Sequence, residues 1–127
     1  MGAGLSTSLT KTFKAETAVG KRLIVKFGST DDFVVLAAAS ADTMFGISSE
    51  IDAAAGEPCD VHLNGIADVI FGGAVTRGAK LTADASGRAI AAAPAAGVNA
   101  QIIGIAMCSA VLGDIGPVLI EQGALQG

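Results

Sequence analysis

The stretch CDVHLNGIADVIF, residues 59–71, decides the fold class. Successive side chains of an extended backbone point to opposite faces, so Cys59, Val61 and Leu63 fall on one side and Asp60, His62 and Asn64 on the other. No window of eleven or more residues carries a competing apolar stripe at helical spacing. On the N-terminal side, DAAAGEP (residues 52–58) reads as a turn and TMFGISSEI (residues 43–51) as a strand. Before them, KRLIVKFG (residues 21–28) and FVVLAAA (residues 33–39) read as strands joined by STDD, a turn with Asx and Ser chemistry. Downstream, GGAVTRGAKL (residues 72–81) is a glycine-punctuated bend, and TADASGRAI (residues 82–90) reads as strand, turn, strand. QIIGIAMCSAV (residues 101–111) and GPVLIEQG (residues 116–123) complete the series around a turn at residues 113–116.

Two segments echo one another. Residues 45–63 and 103–120 each run apolar–Gly–Ile, then a later glycine, then an apolar run five positions on: Gly46, Gly56 and Val61 in the first, Gly104, Gly113 and Val118 in the second. Both read as β-hairpins packed in one small barrel or sandwich.

The composition agrees. The chain of 127 residues fits one domain. Its hydrophobic share is 51%, much of it alanine, with five Phe and no Trp or Tyr, so the core is thin and layered. Seventeen glycines fit many tight turns between short strands. High hydropathy and low charge exclude a disordered chain.

The net charge of −4 hides an asymmetry and argues against general nucleic-acid affinity. Residues 1–30 hold Lys11, Lys14, Lys21, Arg22 and Lys26 against Glu16 alone, while residues 31–127 hold three cations against eleven acids. A basic leading segment, residues 1–20, is expected to form an extended arm on an acidic body, residues 21–127. Residues 89–113 contain no charge, but Pro94, Gly97, Asn99, Gln101 and Gly104 interrupt them, so a buried strand after a loop is expected instead of a membrane span. The first twenty residues lack the apolar core of a signal peptide, which makes free thiols at Cys59 and Cys108 the expectation, with a disulfide open if the two prove adjacent.

Reactive chemistry has little to stand on. His62 has no second histidine or cysteine at metal-ligand spacing, and it reads as a surface-facing strand residue. In GGAVTRGAK, Gly73 and Gly78 have the separation of a phosphate loop, but Ala79 displaces the lysine and no helix follows, so a pair of β-turns is expected. Asp31 and Asp32 are the one adjacent acid pair and fit turn capping better than acid–base work. No catalytic residue, metal site or cofactor is expected.

KTFKAETAVGKRLIVKFG (residues 11–28), MFGISSEIDAAAGEPCDVHLNGIADV (residues 44–69), GGAVTRGAKLTADASGRAIAAAPAAGVNAQIIGIAM (residues 72–107) and GDIGPVLIEQG (residues 113–123) together resemble the capsid cement, or head decoration, proteins of tailed bacteriophages and prophages. The resemblance rests on the co-linear set of glycine-turn segments. The Gly/Ser/Thr-rich first ten residues and the two cysteines depart from the family. The resemblance implies a compact β-fold bound to the major capsid protein on the outer face of the shell, and a homo-oligomer, with a trimer favoured over a dimer. It further implies a place on the virion, reached from the host cytoplasm during assembly, with no nucleic-acid or membrane partner. On this reading Lys11, Lys14, Lys21 and Arg22 belong to a docking surface, and removal of residues 1–20 is expected to abolish decoration while sparing the fold. The competing readings are another virion component, such as a tail or spike base, and a small ligand-binding β-barrel, which the lack of Trp and Tyr disfavours.

Overall fold

A computed structural model describes residues 9–127. In chain order the strands are β1 (Thr10–Ala15), β2 (Ile24–Phe27), β3 (Phe33–Leu36), β4 (Met44–Ser48), β5 (Pro58–His62), β6 (Gly65–Ile70), β7 (Lys80–Ala83), β8 (Ala89–Ala91), β9 (Asn99–Ala106) and β10 (Ile115–Gln126), with no helix among the described residues. The all-β expectation holds. The stretch at residues 59–71 is two strands: it breaks at Leu63–Asn64, and its halves, β5 and β6, lie in different sheets.

The first five strands close a barrel in the order β1-β3-β2-β4-β5. β1 runs parallel to β3, with Ala15 opposite Val34, and antiparallel to β5, with Phe13 opposite Cys59. The last five form a sheet in the order β6-β10-β9-β7-β8. That sheet repeats the barrel strand for strand: β6 stands for β1, β7 for β2, β8 for β3, β9 for β4 and β10 for β5. Even the parallel closure recurs, as a single bridge between Phe71 and Ala89 at the places of Ala15 and Val34.

Hydrogen bonds outside the strands bear out the equivalence. The bridge Val19–Ala53 has its counterpart in Val75–Ala110. Glu57 Oε1 accepts from Ala54 N–H at 2.8 Å, and Asp114 Oδ2 accepts from Val111 N–H at 3.0 Å in the matching turn. Both turns place a glycine in the left-handed region, Gly56 at φ 84° and Gly113 at 88°, where a Cβ is disfavoured. The two hairpins legible in the sequence are therefore the visible parts of a complete five-stranded repeat, one in each unit and not together in one sheet.

Each unit buries its own interior. Phe13, Ala15, Val25, Val34 and Val61 fill the barrel; Val69, Phe71, Leu81, Ala89 and Val118 occupy the same places in the second unit, all buried. The volumes are traded. Where the barrel has Phe13 and Ala15, the second unit has Val69 and Phe71, so a large ring and a small side chain exchange between neighbouring layers. Fully buried Phe71 contributes roughly 1.5–3 kcal/mol. Ile24, Ala37, Met44 and Ile47 point outward from the barrel and are buried with the core of the second unit, which joins the two into one body.

The arm expected over residues 1–20 is overturned from residue 10 onward. β1 is a full member of the barrel, with Phe13 and Ala15 buried inside and Thr12 and Lys14 exposed outside. Its inward face is apolar only at Phe13 and Ala15, because Lys11 takes the third inward position and lays its Nζ 4.3 Å from the centroid of the Phe13 ring. The part of the expected arm in residues 1–8 lies outside the described residues.

Candidate functional site

Strand geometry separates the four cations assigned to a docking surface. Lys11 and Lys14 lie three apart on β1 and so face opposite ways. Lys11 sits at the open end of the barrel, over Phe13 and 3.5 Å from Asp32 Oδ1. Lys14 is exposed on the outer wall, opposite Phe33 on one side and Pro58 on the other. Lys21 and Arg22 belong to the loop that turns β1 into β2, at the far end from Lys11. Lys21 N–H donates to Asp52 Oδ1 at 2.8 Å, leaving its exposed ammonium outside any ion pair among the described residues. Arg22 adopts φ 57°, donates its N–H to Ser49 O and accepts from Ile70 N–H. With Ser48, Glu50, His62 and Asp68 it lines a shallow cleft of about 400 Å³ between the two units. The four cations do not form one patch.

The open end of the barrel holds a feature the charge reading passed over. Phe45 stacks on Phe27 with centroids 4.0 Å apart and meets Phe13 edge-on at 5.4 Å. Phe27 is 57% exposed. Lys11 and the turn carrying Asp31 and Asp32 wall this mouth, a concavity of about 600 Å³. Three of the five phenylalanines in the chain meet here. Their positions, all in the first 45 residues, were the available signal.

His62 and Asp60 share the outer wall, as their parity requires. Thr10 Oγ1 lies 3.0 Å from His62 Nδ1, and Thr12 Oγ1 donates to Asp60 Oδ1 at 2.6 Å. Among the described residues no three His, Cys, Asp or Glu side chains gather as metal ligands. The glycine-rich GGAVTRGAK segment is the expected bend, with Ala79 N–H bonded to Thr76 O and Gly78 at φ 93°. Cys59 is buried in the barrel and Cys108 packs on the other core, so the two thiols are free and lie in different units. Burial, and then the charge of Asp60, push the Cys59 thiol up. No helix among the described residues is long and apolar enough to cross a membrane.

Two carboxylates organise loops. Asp42 accepts from Ala38 and Ala39 N–H at 2.8 and 3.1 Å and pairs with Lys26 at 3.1 Å. The Ala38 amide, with Lys26 and Ala39, holds its carboxyl below the ordinary range against the opposing effect of burial. Glu16 accepts from the Ser29 hydroxyl and amide, which lower it in the same way.

What the described residues offer, then, is a set of surfaces on a rigid scaffold: separated cations, an aromatic mouth, and exposed apolar positions such as Val111, Leu112 and Ile115 on one turn. The molecule is in this sense a duplicated all-β structural protein whose conspicuous features suit contact with other proteins. Residues 5–119 match the family model described as phage cement protein; the chain belongs to that family and is a capsid-associated decoration protein. Its fold is similar to that of the head fiber gp8.5 N base of bacteriophage phi29, at a TM-score of 0.68 and 19% identity, covering 95% of this chain and 100% of that one. No curated protein matches the chain.

Proposed function

We propose that this protein coats the outside of the assembled phage shell, binding the major capsid protein and stabilising the shell as a homo-oligomer, with a trimer favoured. The observation that carries the reading is membership of the cement family over residues 5–119. The chemistry of the surface supports it: contact without turnover needs exposed charge and apolar area on a stiff frame, and weak contacts repeated by each protomer add up through effective concentration. The protein reaches the shell from the host cytoplasm during assembly. Electron microscopy of shells assembled with and without it tests the reading. Extra density on the outer surface, with a raised shell melting temperature, is the expected result; density confined to the tail, or none, overturns it.

The docking surface draws on Lys11, Lys14, Lys21 and Arg22. Three of these are exposed, and Lys14, Lys21 and Arg22 enter no ion pair among the described residues. Because they stand at different ends of the barrel, charge reversal resolves which end meets the coat. Lys21→Glu with Arg22→Glu weakens shell binding several-fold and flattens its salt dependence if the loop end docks, and Lys14→Glu does so if the wall docks. Binding unchanged by every reversal removes these cations from the surface.

A further inference from the structure

Within one chain, the outer face of the first unit already seats in the end of the second. Ile24, Ala37, Met44 and Ile47 supply that face. Ile24 N–H donates to Gly87 O at 2.7 Å, and Gln101 N–H donates to Ser40 O at 2.7 Å across the same contact. The register of the repeat identifies the receiving end. Ala67, Ala83, Ile103 and Ile120 of the second unit occupy the places of Lys11, Phe27, Phe45 and Leu63 in the first. Gly87, at φ 78°, stands where Asp32, at φ 68°, stands in the β2–β3 turn. The seat is therefore the counterpart of the aromatic mouth.

The seated face has a counterpart as well. Ile24 opposite Ile47 in β2–β4 corresponds to Lys80 opposite Ile105 in β7–β9, and Met44 and Ala37 correspond to Ile102 and Ala92. Lys80, Ile102 and Ile105 line one shallow groove on the outside of the second unit. Ile66 and Leu119, each 36% exposed, continue the apolar face across the sheet. Phe27 in the mouth is 57% exposed, and Ile66 and Leu119 on this face stay open while Ile102 is buried among its neighbours; the equivalent two surfaces bury each other where the units join.

We propose that a second copy of this chain covers them: the Lys80–Ile105–Leu119 face of one copy seats in the Phe13–Phe27–Phe45 mouth of the next, repeating between chains the contact that joins the units within one. The proposal rests on the self-association put forward above and assigns its interface. Charge supports the occupant. Lys80 replaces Ile24, and Asp32 replaces Gly87, the residue that Ile24 meets; the contact between chains thus brings a cation to the acidic turn of Asp31 and Asp32, where Lys11 already lies 3.5 Å from Asp32, while the internal contact is uncharged. Asp32 carries a carboxylate where Gly87 has no side chain, and with Asp31 beside it that end of the mouth offers acid to the Lys80 of the seated copy. The contact runs head to tail, so copies close into a ring where the rotation permits.

Sedimentation equilibrium of the purified full chain, without shells, tests the interface. The wild type is expected to associate. Lys80→Glu and Asp32→Lys each weaken association at least about tenfold, and the double swap in one chain restores it, with thermal melts verifying that each variant is folded. Phe27→Ser, at a ring more than half exposed, gives the same dissociation by an uncharged route. A wild type that stays monomeric at its highest soluble concentration overturns both the self-association and this contact. An oligomer indifferent to all three substitutions overturns the contact alone, and shell binding, measured separately, stands or falls on the microscopy.

Discussion

At the scale of single residues, a tight constraint falls on two glycines at the same point of each unit. A Cβ on Gly46 would press on Val61 Cγ1 and approach His62 O at 2.7 Å, and one on Gly104 would fall onto Leu119 O. Backbone cannot yield as a flexible side chain can, so Gly104→Ala should destabilise the protein by about 2–3 kcal/mol, read by urea unfolding. Arg22 presents the opposite case. It occupies the left-handed region at φ 57°, and its counterpart in the second unit is Gly78 at φ 93°. The steric cost of about 1–2 kcal/mol, less the extra chain entropy of glycine, leaves Arg22→Gly more stable by up to about 1 kcal/mol. A loss of stability on that change would mean that the side chain supports the fold. Asp42 sets an acid limit. Its carboxyl is lowered in the folded state, so its contribution is complete above the unfolded value and disappears as pH falls through the lower folded one. Asp42→Asn should cost about 1 kcal/mol at neutral pH, and the difference from wild type should shrink in strong acid.

At the scale of elements, the sequence was legible where turn chemistry punctuated it. STDD, the residues 84–87 turn and the glycines at 56 and 113 all stand where the structure bends. β1 escaped because Lys11 holds an inward place that an apolar residue would normally mark, its charge accommodated over a ring. The boundary matters for truncation. Removing residues 1–8 should leave a folded protein with an unchanged circular dichroism spectrum. Removing residues 1–20 takes away β1 with buried Phe13, Ala15 and Val19, and should leave no cooperative melt. Decoration lost on the longer deletion would therefore report unfolding, contrary to the expectation drawn from the sequence. The docking residues were less legible than the strands: proximity in sequence says nothing of face, and Lys11 and Lys14 point apart.

At the scale of the whole molecule, the repeat was visible in its hairpins and hidden elsewhere because its cores trade volume. Phe13 and Val69, Ala15 and Phe71, Phe27 and Ala83, Phe45 and Ile103 hold equivalent places with dissimilar side chains. Packing conserves the sum of a layer, not its members, so a comparison by residue identity misses the pairing. Since Ile24, Ala37, Met44 and Ile47 belong to the second core while their strands build the first, the two units should unfold together. Calorimetry should give one transition with equal van't Hoff and calorimetric enthalpies, and two resolved peaks would refute the shared core. Only Leu63 and Asn64 lie between β5 and β6, and the carboxamide of Asn64 accepts from Leu9 N–H at 2.9 Å. There is no hinge in that joint. Such a double unit behaves as a single plank: a load applied to one half passes straight into the other, with no slack at the seam to absorb it.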